Sequence, residues 1–217
     1  MSKIKVILTG STGMVGEGVL MECLENNLVS DVLIINRKSS NLTHPKLKEL
    51  IVPDFMKIEQ YSDNLVGFDA CFYCAGISSI GMNEEDYTKI TFNTTLHFAQ
   101  SLQKLNPKMT FNYVSGRSTD GSEKGKVMWA KVKGKTENAL MQLSFKGQYN
   151  FRPGFMKPTK GQKNIKAIFK IFGLFYPRLF PNSSLTLQEV GKAMINATVK
   201  GFTKQVLEVK DIKELSK

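Results

Sequence analysis

Apolar positions along the chain fall into short runs separated by longer stretches with helical spacing. The runs are Ile4–Leu8, Val32–Asn36, Leu50–Val52, a stretch within Val66–Ala75, Met109–Ser115, Tyr149–Arg152 and Gln205–Val209. Between them, apolar residues recur three and four apart over Val15–Leu24, Glu84–Leu105, Val127–Leu143, Ile165–Tyr176 and Leu187–Lys200. Short runs bounded by turn residues predict buried strands, and the 3.6-residue period predicts helices with one apolar face. Alternation of the two predicts an α/β fold with a doubly wound parallel sheet. After Pro153-Gly154 the alternation lapses, so residues 1–155 read as the core. Residues 156–217 read as C-terminal lid and packing elements of the same domain.

The first strand runs into Thr9-Gly10-Ser11-Thr12-Gly13-Met14-Val15-Gly16, which opens the first helix. A strand, a glycine-rich turn and a helix in that order make the phosphate cradle of a Rossmann-type fold. Gly10 permits a tight turn, Gly13 lets backbone approach a pyrophosphate, and Gly16 lets the helix lie close to the strand. The helix start adds unpaired N–H groups and partial positive charge. The end of the second strand chooses between NAD and NADP, because an acid there bonds the ribose hydroxyls and repels a 2′-phosphate. This chain has Asn36-Arg37-Lys38-Ser39-Ser40 instead. Arg37 offers a planar fork, Lys38 a point charge and the serines hydroxyl donors, which points to NADP(H).

Length suits one compact domain with a sizeable core. Thirty Lys and Arg against nineteen Asp and Glu give a net charge of +11. The lysines are scattered and no nucleic-acid-binding signature accompanies them, so a basic surface that attracts anionic cofactors is the simpler reading and no specific nucleic acid is expected. Three cysteines, Cys23, Cys71 and Cys74, sit in apolar surroundings. That odd count without metal-ligand partners points to a reducing, cytoplasmic setting. Neither His44 nor His97 has a partner at metal-ligand spacing, so no metal is expected. Met1-Ser2-Lys3 leads straight into the first strand and leaves no room for a signal peptide.

Taken together, these segments resemble the atypical, extended branch of the short-chain dehydrogenase/reductase superfamily, near the Tat-interacting-protein and NmrA-like proteins. The matching pieces, in family order, are Thr9–Gly16, Ile35-Asn36-Arg37-Lys38, Val52-Pro53-Asp54-Phe55, Asp69–Gly76, Val114-Ser115, Val132-Lys133-Gly134 and Phe151-Arg152-Pro153-Gly154. The resemblance implies that Gly10, Thr12, Gly13, Met14 and Val15 surround the pyrophosphate, with Arg37 and Lys38 on the 2′-phosphate. It implies that Asp54 and Phe55 border the adenine and that Cys74, Ala75 and Gly76 pass under the cofactor. Asn93 sits where extended members keep an asparagine, and Pro153 and Gly154 would back the nicotinamide.

Family chemistry also uses a tyrosine four residues before a lysine on one helix face, with a serine at the preceding strand end. Ser115 and Lys133 are present, but the residue four before Lys133 is Trp129. An indole N–H donates a hydrogen bond and does not cycle a proton near neutral pH. Two functions follow. One is an oxidoreductase or epimerase-like enzyme acting on a small, partly apolar substrate, with Ser115, Lys133 and Trp129 in the site. The other is a non-catalytic NADPH-binding regulator or assembly partner. Lys131, Lys133 and Lys135 alternate along the helix, so Lys133 faces away from its two neighbours. The aromatic-rich stretch 165–180 reads as a lid over the substrate or the face of a homodimer, ahead of a membrane contact.

Overall fold

The computed structural model describes residues 2–165 and 183–217. Seven strands form one parallel sheet: β1 (Ile4–Thr9), β2 (Val29–Asn36), β3 (Leu47–Ile51), β4 (Ala70–Tyr73), β5 (Thr110–Val114), β6 (Gly147–Phe151) and β9 (Val206–Leu207). Their order across the sheet is β3-β2-β1-β4-β5-β6-β9. A separate parallel pair, β7 (Phe155–Lys157) and β8 (Ser184–Thr186), follows the end of β6. The sheet order reverses between β1 and β4, where Leu8 lies opposite Ile34 on one side and Phe72 on the other. Ligands of open α/β sheets bind at such a reversal, outside the carboxyl ends of the strands.

A parallel sheet covered on both faces needs apolar residues pointing both ways. Val6 and Leu8 of β1 enter one core with α1 (Met14–Glu25), α5 (Leu187–Lys200) and α6 (Val209–Leu215). Ile7 enters the other core, with α3 (Thr94–Leu105) and α4 (Met128–Met141). Helix α5 matches the expected segment end for end. Thr186 starts it with a reciprocal capping box to Glu189, and Gly201 ends it at φ 73°. The stretch expected as one helix over Glu84–Leu105 is continuous, but a π turn, Lys89–Asn93, joins α2 (Glu84–Thr88) to α3.

Two features differ from expectation. Strand β3 starts at Leu47, earlier than the apolar run Leu50–Val52, because it is an edge strand on which Lys48 and Glu49 interrupt the hydrophobic pattern. The β7–β8 pair and α6 are too short for a periodic signal. As expected of packing elements, helix α5, β9 and α6 join the sheet's own core, where Val190, Met194, Leu207 and Ile212 are all fully buried. The helix and lid expected over Ile165–Tyr176 and on to residue 180 lie, past Ile165, outside the described residues. Among the described residues, no helix is long and apolar enough to cross a membrane.

Candidate functional site

Gly10 adopts φ 74°, and a Cβ there would lie 2.7 Å from the backbone of Cys74 and Ala75. The loop after β1 is thus pressed against the end of β4. A Cβ on Gly16 would sit 2.1 Å from the Gly10 carbonyl oxygen, so only glycine lets α1 start this close to the turn. Gly13 stands at the cap of helix α1 and offers no side-chain bond, which leaves the first-turn N–H groups for an anion. The one acid in that turn, Glu17, is directed elsewhere: it accepts from the amides of Lys163 and Asn164, each at 2.8 Å. Gln162 donates to the Met14 carbonyl at 2.7 Å, so residues 162–164 are strapped to the helix start.

A cavity of about 380 Å³ opens over this loop along the carboxyl ends of the strands. The expected residues Gly10, Thr12, Gly13, Asn36, Arg37, Asp54, Phe55, Cys74, Ala75, Gly76 and Lys133 all line it. Met14, Val15 and Gly16 stand behind the lining, and Lys38, Asn93, Pro153, Gly154, Ser115 and Trp129 lie outside it. Asn93 is exposed, while Ile90, Thr91, Thr94 and Thr95 around the π turn face the cavity. Gly154 has a structural task, because a Cβ there would lie 2.4 Å from the Ser183 carbonyl oxygen. Pro153 accepts from the Arg117 amide at 3.1 Å and so holds the turn after β5.

Tyr113, which the sequence offers as another source of the proton, lines the cavity together with Tyr73 and Tyr87, which sequence reasoning missed. Tyr73 and Tyr113 are register partners at the ends of β4 and β5, with ring centroids 6.2 Å apart. Tyr87, Thr91 and Thr95 are spaced by four, a signal for one helix face that was available in the sequence. Burial pushes all three phenols above their ordinary range, against hydrogen bonding between Tyr73 and Thr95, Tyr87 and Thr91, and Tyr113 and Thr136. Burial also pushes the Cys74 thiol up to about 12. These groups are neutral near pH 7.

At the β2 end of the cavity, Asn36 is buried and fixed on both sides. Its Oδ1 accepts from Ser11 Oγ at 2.9 Å and its Nδ2 donates to Glu49 Oε1 at 2.8 Å. Arg37 and Lys38 are exposed and make no ion pair among the described residues. Asp54 caps the 3-10 segment Phe55–Asn64 by accepting from the Met56 amide at 2.9 Å, which leaves its second carboxylate oxygen for a ligand. Phe55 packs on Phe98 at 5.2 Å between centroids, which holds its ring in place.

At the other end, Lys133 Nζ donates to the carbonyls of Ser115 at 3.2 Å and Val114 at 3.4 Å. It also lies 5.6 Å from the centroid of Tyr113. Burial lowers Lys133 to about 8, with Glu137 working in the opposite direction. Its helical neighbours look outward as expected, Lys131 to Glu84 at 2.7 Å and Lys135 over the Phe92 ring. Thr119 gives its one hydroxyl hydrogen to the Gly116 carbonyl at 2.8 Å. The 2.8 Å bond between Ser115 Oγ and Thr119 Oγ1 is therefore donated by Ser115, whose lone pairs remain. Trp129 packs 3.7 Å from the Cβ position of Gly116 and lines a separate hollow of about 160 Å³ with Ser118, Val127 and Ala130.

The glycine cradle, the uncapped helix start and the cationic turn suit a dinucleotide. Residues 6–133 match the NAD dependent epimerase/dehydratase family. The chain belongs to that family. It is 26% identical to Protein HTATIP2 of Rattus norvegicus over 223 residues, covering 100% of this chain and 91% of that protein. It is 24% identical to Protein fmp52, mitochondrial, of Emericella nidulans, covering 93% of this chain and 90% of that protein. Among solved structures it is similar to a UDP-N-acetylglucosamine 4-epimerase from Methanobrevibacter ruminantium M1. There the TM-score is 0.69 at 18% identity, covering 96% of this chain and 76% of that one. The short-chain dehydrogenase resemblance and the Rossmann-type fold both stand, and with them a nucleotide-binding site of the nicotinamide dinucleotide type.

Proposed function

We propose that this protein binds NADP(H) and exchanges hydride with a small, partly apolar substrate, as an oxidoreductase or epimerase-like enzyme. Arg37 carries the coenzyme choice: it is exposed, it lines the cavity, and no carboxylate pairs with it among the described residues. A guanidinium fork matches a phosphate in shape and charge, and Lys38 adds to the local field. A cytoplasmic setting belongs to the same reading and rests on three free thiols.

A nicotinamide coenzyme, when bound, supplies hydride. The chain's own residues must then bind, orient and move a proton. The uncapped start of α1 holds phosphate, and Phe55 and Asp54 flank the adenine. Trp129 carries no exchangeable acid, and Ser115 gives its hydrogen to Thr119. Lys133 lines the cavity and burial lowers it to about 8, so its ammonium serves to hold the ribose and to protonate the substrate oxygen. Lysine is charged below its pKa, so NADPH-dependent turnover should fall with a one-proton dependence as pH rises through about 8. Lys133→Arg, which stays charged but does not release a proton, should keep NADPH binding and lose turnover at every pH. A wild-type profile flat from pH 7 to about 9.5 would exclude the role, because most of a group titrating near 8 is neutral there.

The test of the function is loss of the reduced-nicotinamide absorbance when NADPH is mixed with a panel of carbonyls and quinones. A second reading, a non-catalytic NADPH-binding regulator, is favoured by Trp129 and by the engaged hydroxyl of Ser115. Trp129→Tyr separates the two. Restoring a phenol four residues before Lys133 should raise carbonyl reduction by about 100-fold, within the usual range for an added proton donor. NADPH binding without any gain in turnover would favour the regulator.

A further inference from the structure

The turn that carries Arg37 is built around an acid contributed by a different strand. Glu49 lies on β3, whose register places Ile51 opposite Asn36. Its Oε1 accepts from Asn36 Nδ2 and from the Ser40 amide, both at 2.8 Å, and its Oε2 accepts from Ser39 Oγ at 2.8 Å. Burial of the carboxylate works against its charge, but the bonds from Asn36, the Ser40 amide and Ser39 outweigh it and hold Glu49 below its usual range. It is an anion at neutral pH. Neither Arg37 nor Lys38 forms an ion pair with it among the described residues.

Two consequences follow for a phosphate arriving at this turn. The serine hydroxyl and the backbone amide that would donate to it already donate to Glu49, so an internal carboxylate occupies the donor set of an anion site. A fixed negative charge also stands beside the place where the 2′-phosphate would meet Arg37, and like charges at short range oppose one another. The turn thus joins an attractive element, Arg37 with Lys38, to a repulsive one, and specificity is the difference between them.

We infer that Glu49 is a specificity-determining residue that acts against the 2′-phosphate, limiting the NADP(H) preference that Arg37 creates. The inference rests on the NADP(H) reading above and concerns the same site. Glu49 is a positioning residue here, acting through Asn36, Ser39 and Ser40 rather than by touching coenzyme.

Glu49→Gln keeps the shape and most of the hydrogen bonds while removing the charge. Glu49→Ala removes the carboxylate and frees the Ser39 and Ser40 donors. Calorimetry on the full chain with NADPH and NADH gives the affinity ratio for each protein, and urea denaturation gives its stability. Both variants should raise the NADPH-to-NADH ratio, by about tenfold for Glu49→Gln, equivalent to about 1.4 kcal/mol. NADH affinity in Glu49→Gln should stay within about twofold. A purely structural role would lower both affinities together and leave the ratio alone. If wild type prefers NADPH and the ratio is unchanged or falls in both variants, this inference fails while the coenzyme reading survives. Absence of binding by either coenzyme to wild type overturns both.

Discussion

Gly16→Ala should abolish coenzyme binding and remove about 3 kcal/mol of stability, the upper end of ordinary overpacking costs. The new Cβ would lie 2.1 Å from the Gly10 carbonyl oxygen and 3.0 Å from the Ser11 amide nitrogen. Both are backbone atoms, so no side chain can rotate away. Either the start of α1 or the loop after β1 must move, and the loop is itself held against Cys74 and Ala75. Each movement spoils the alignment of the helix N–H groups with the cavity. Gly13→Ala is the informative control, because its Cβ would meet only the Gly10 carbonyl, at 3.4 Å. That variant should fold nearly as well as wild type and still bind weakly, since the methyl group enters the phosphate cradle. Urea midpoints with NADPH calorimetry distinguish the two; a Gly16→Ala protein with wild-type affinity would contradict the cradle.

The second large effect lies behind the site. Glu137 of α4 is fully buried and accepts from Arg152 Nε at 3.0 and 3.2 Å and from its Nη2. Arg152 also reaches Glu208 at 3.3 Å, where the chain enters α6. One guanidinium thereby ties α4, the end of β6 and the C-terminal helix together. Burial opposes the Arg152 charge, but bonding to Glu137 is the larger effect and raises its pKa. Glu137→Gln leaves that half-buried charge with only Glu208 as an ionic partner. Breaking a buried pair from one side costs about 3–5 kcal/mol, so the variant should be close to unfolding at moderate urea. Where it remains folded, Lys133 should titrate below its wild-type value of about 8, because Glu137 is the charge that raises it. Denaturation curves measure the first effect and the pH dependence of coenzyme binding the second. Wild-type stability would show that Arg152 finds full compensation in Glu208.

Much of this site is local in sequence, and those parts were legible. The glycine turn, the Arg37-Lys38 pair and Cys74-Ala75-Gly76 each follow directly from a strand whose apolar run is visible. Lys133 was legible from the resemblance carried by Val132-Lys133-Gly134, with which its alternation with Lys131 and Lys135 agrees. What was not legible comes from elements that meet only in three dimensions. Glu49 belongs to an edge strand with a poor hydrophobic pattern, and nothing along the chain links it to residues 36–40. Tyr73 looks like an ordinary core aromatic until the β4–β5 register sets it beside Tyr113. Asn93 was expected in the site only from the family resemblance; around the π turn Lys89–Asn93 it is Ile90, Thr91, Thr94 and Thr95 that face the cavity. Thr119 could not be foreseen either, since its bond to Ser115 depends on the turn that Pro153 holds.

The coenzyme account stands or falls on the preference that Arg37 confers. Isothermal titration of the purified protein with NADPH and with NADH, repeated for Arg37→Ala, measures it directly. A charge-assisted bond is worth about 1.5–3 kcal/mol, so wild type should hold NADPH about 10- to 100-fold more tightly than NADH. The alanine variant should bring the two coenzymes close to parity. Equal affinities in wild type, or a preference that survives the loss of Arg37, would contradict the account.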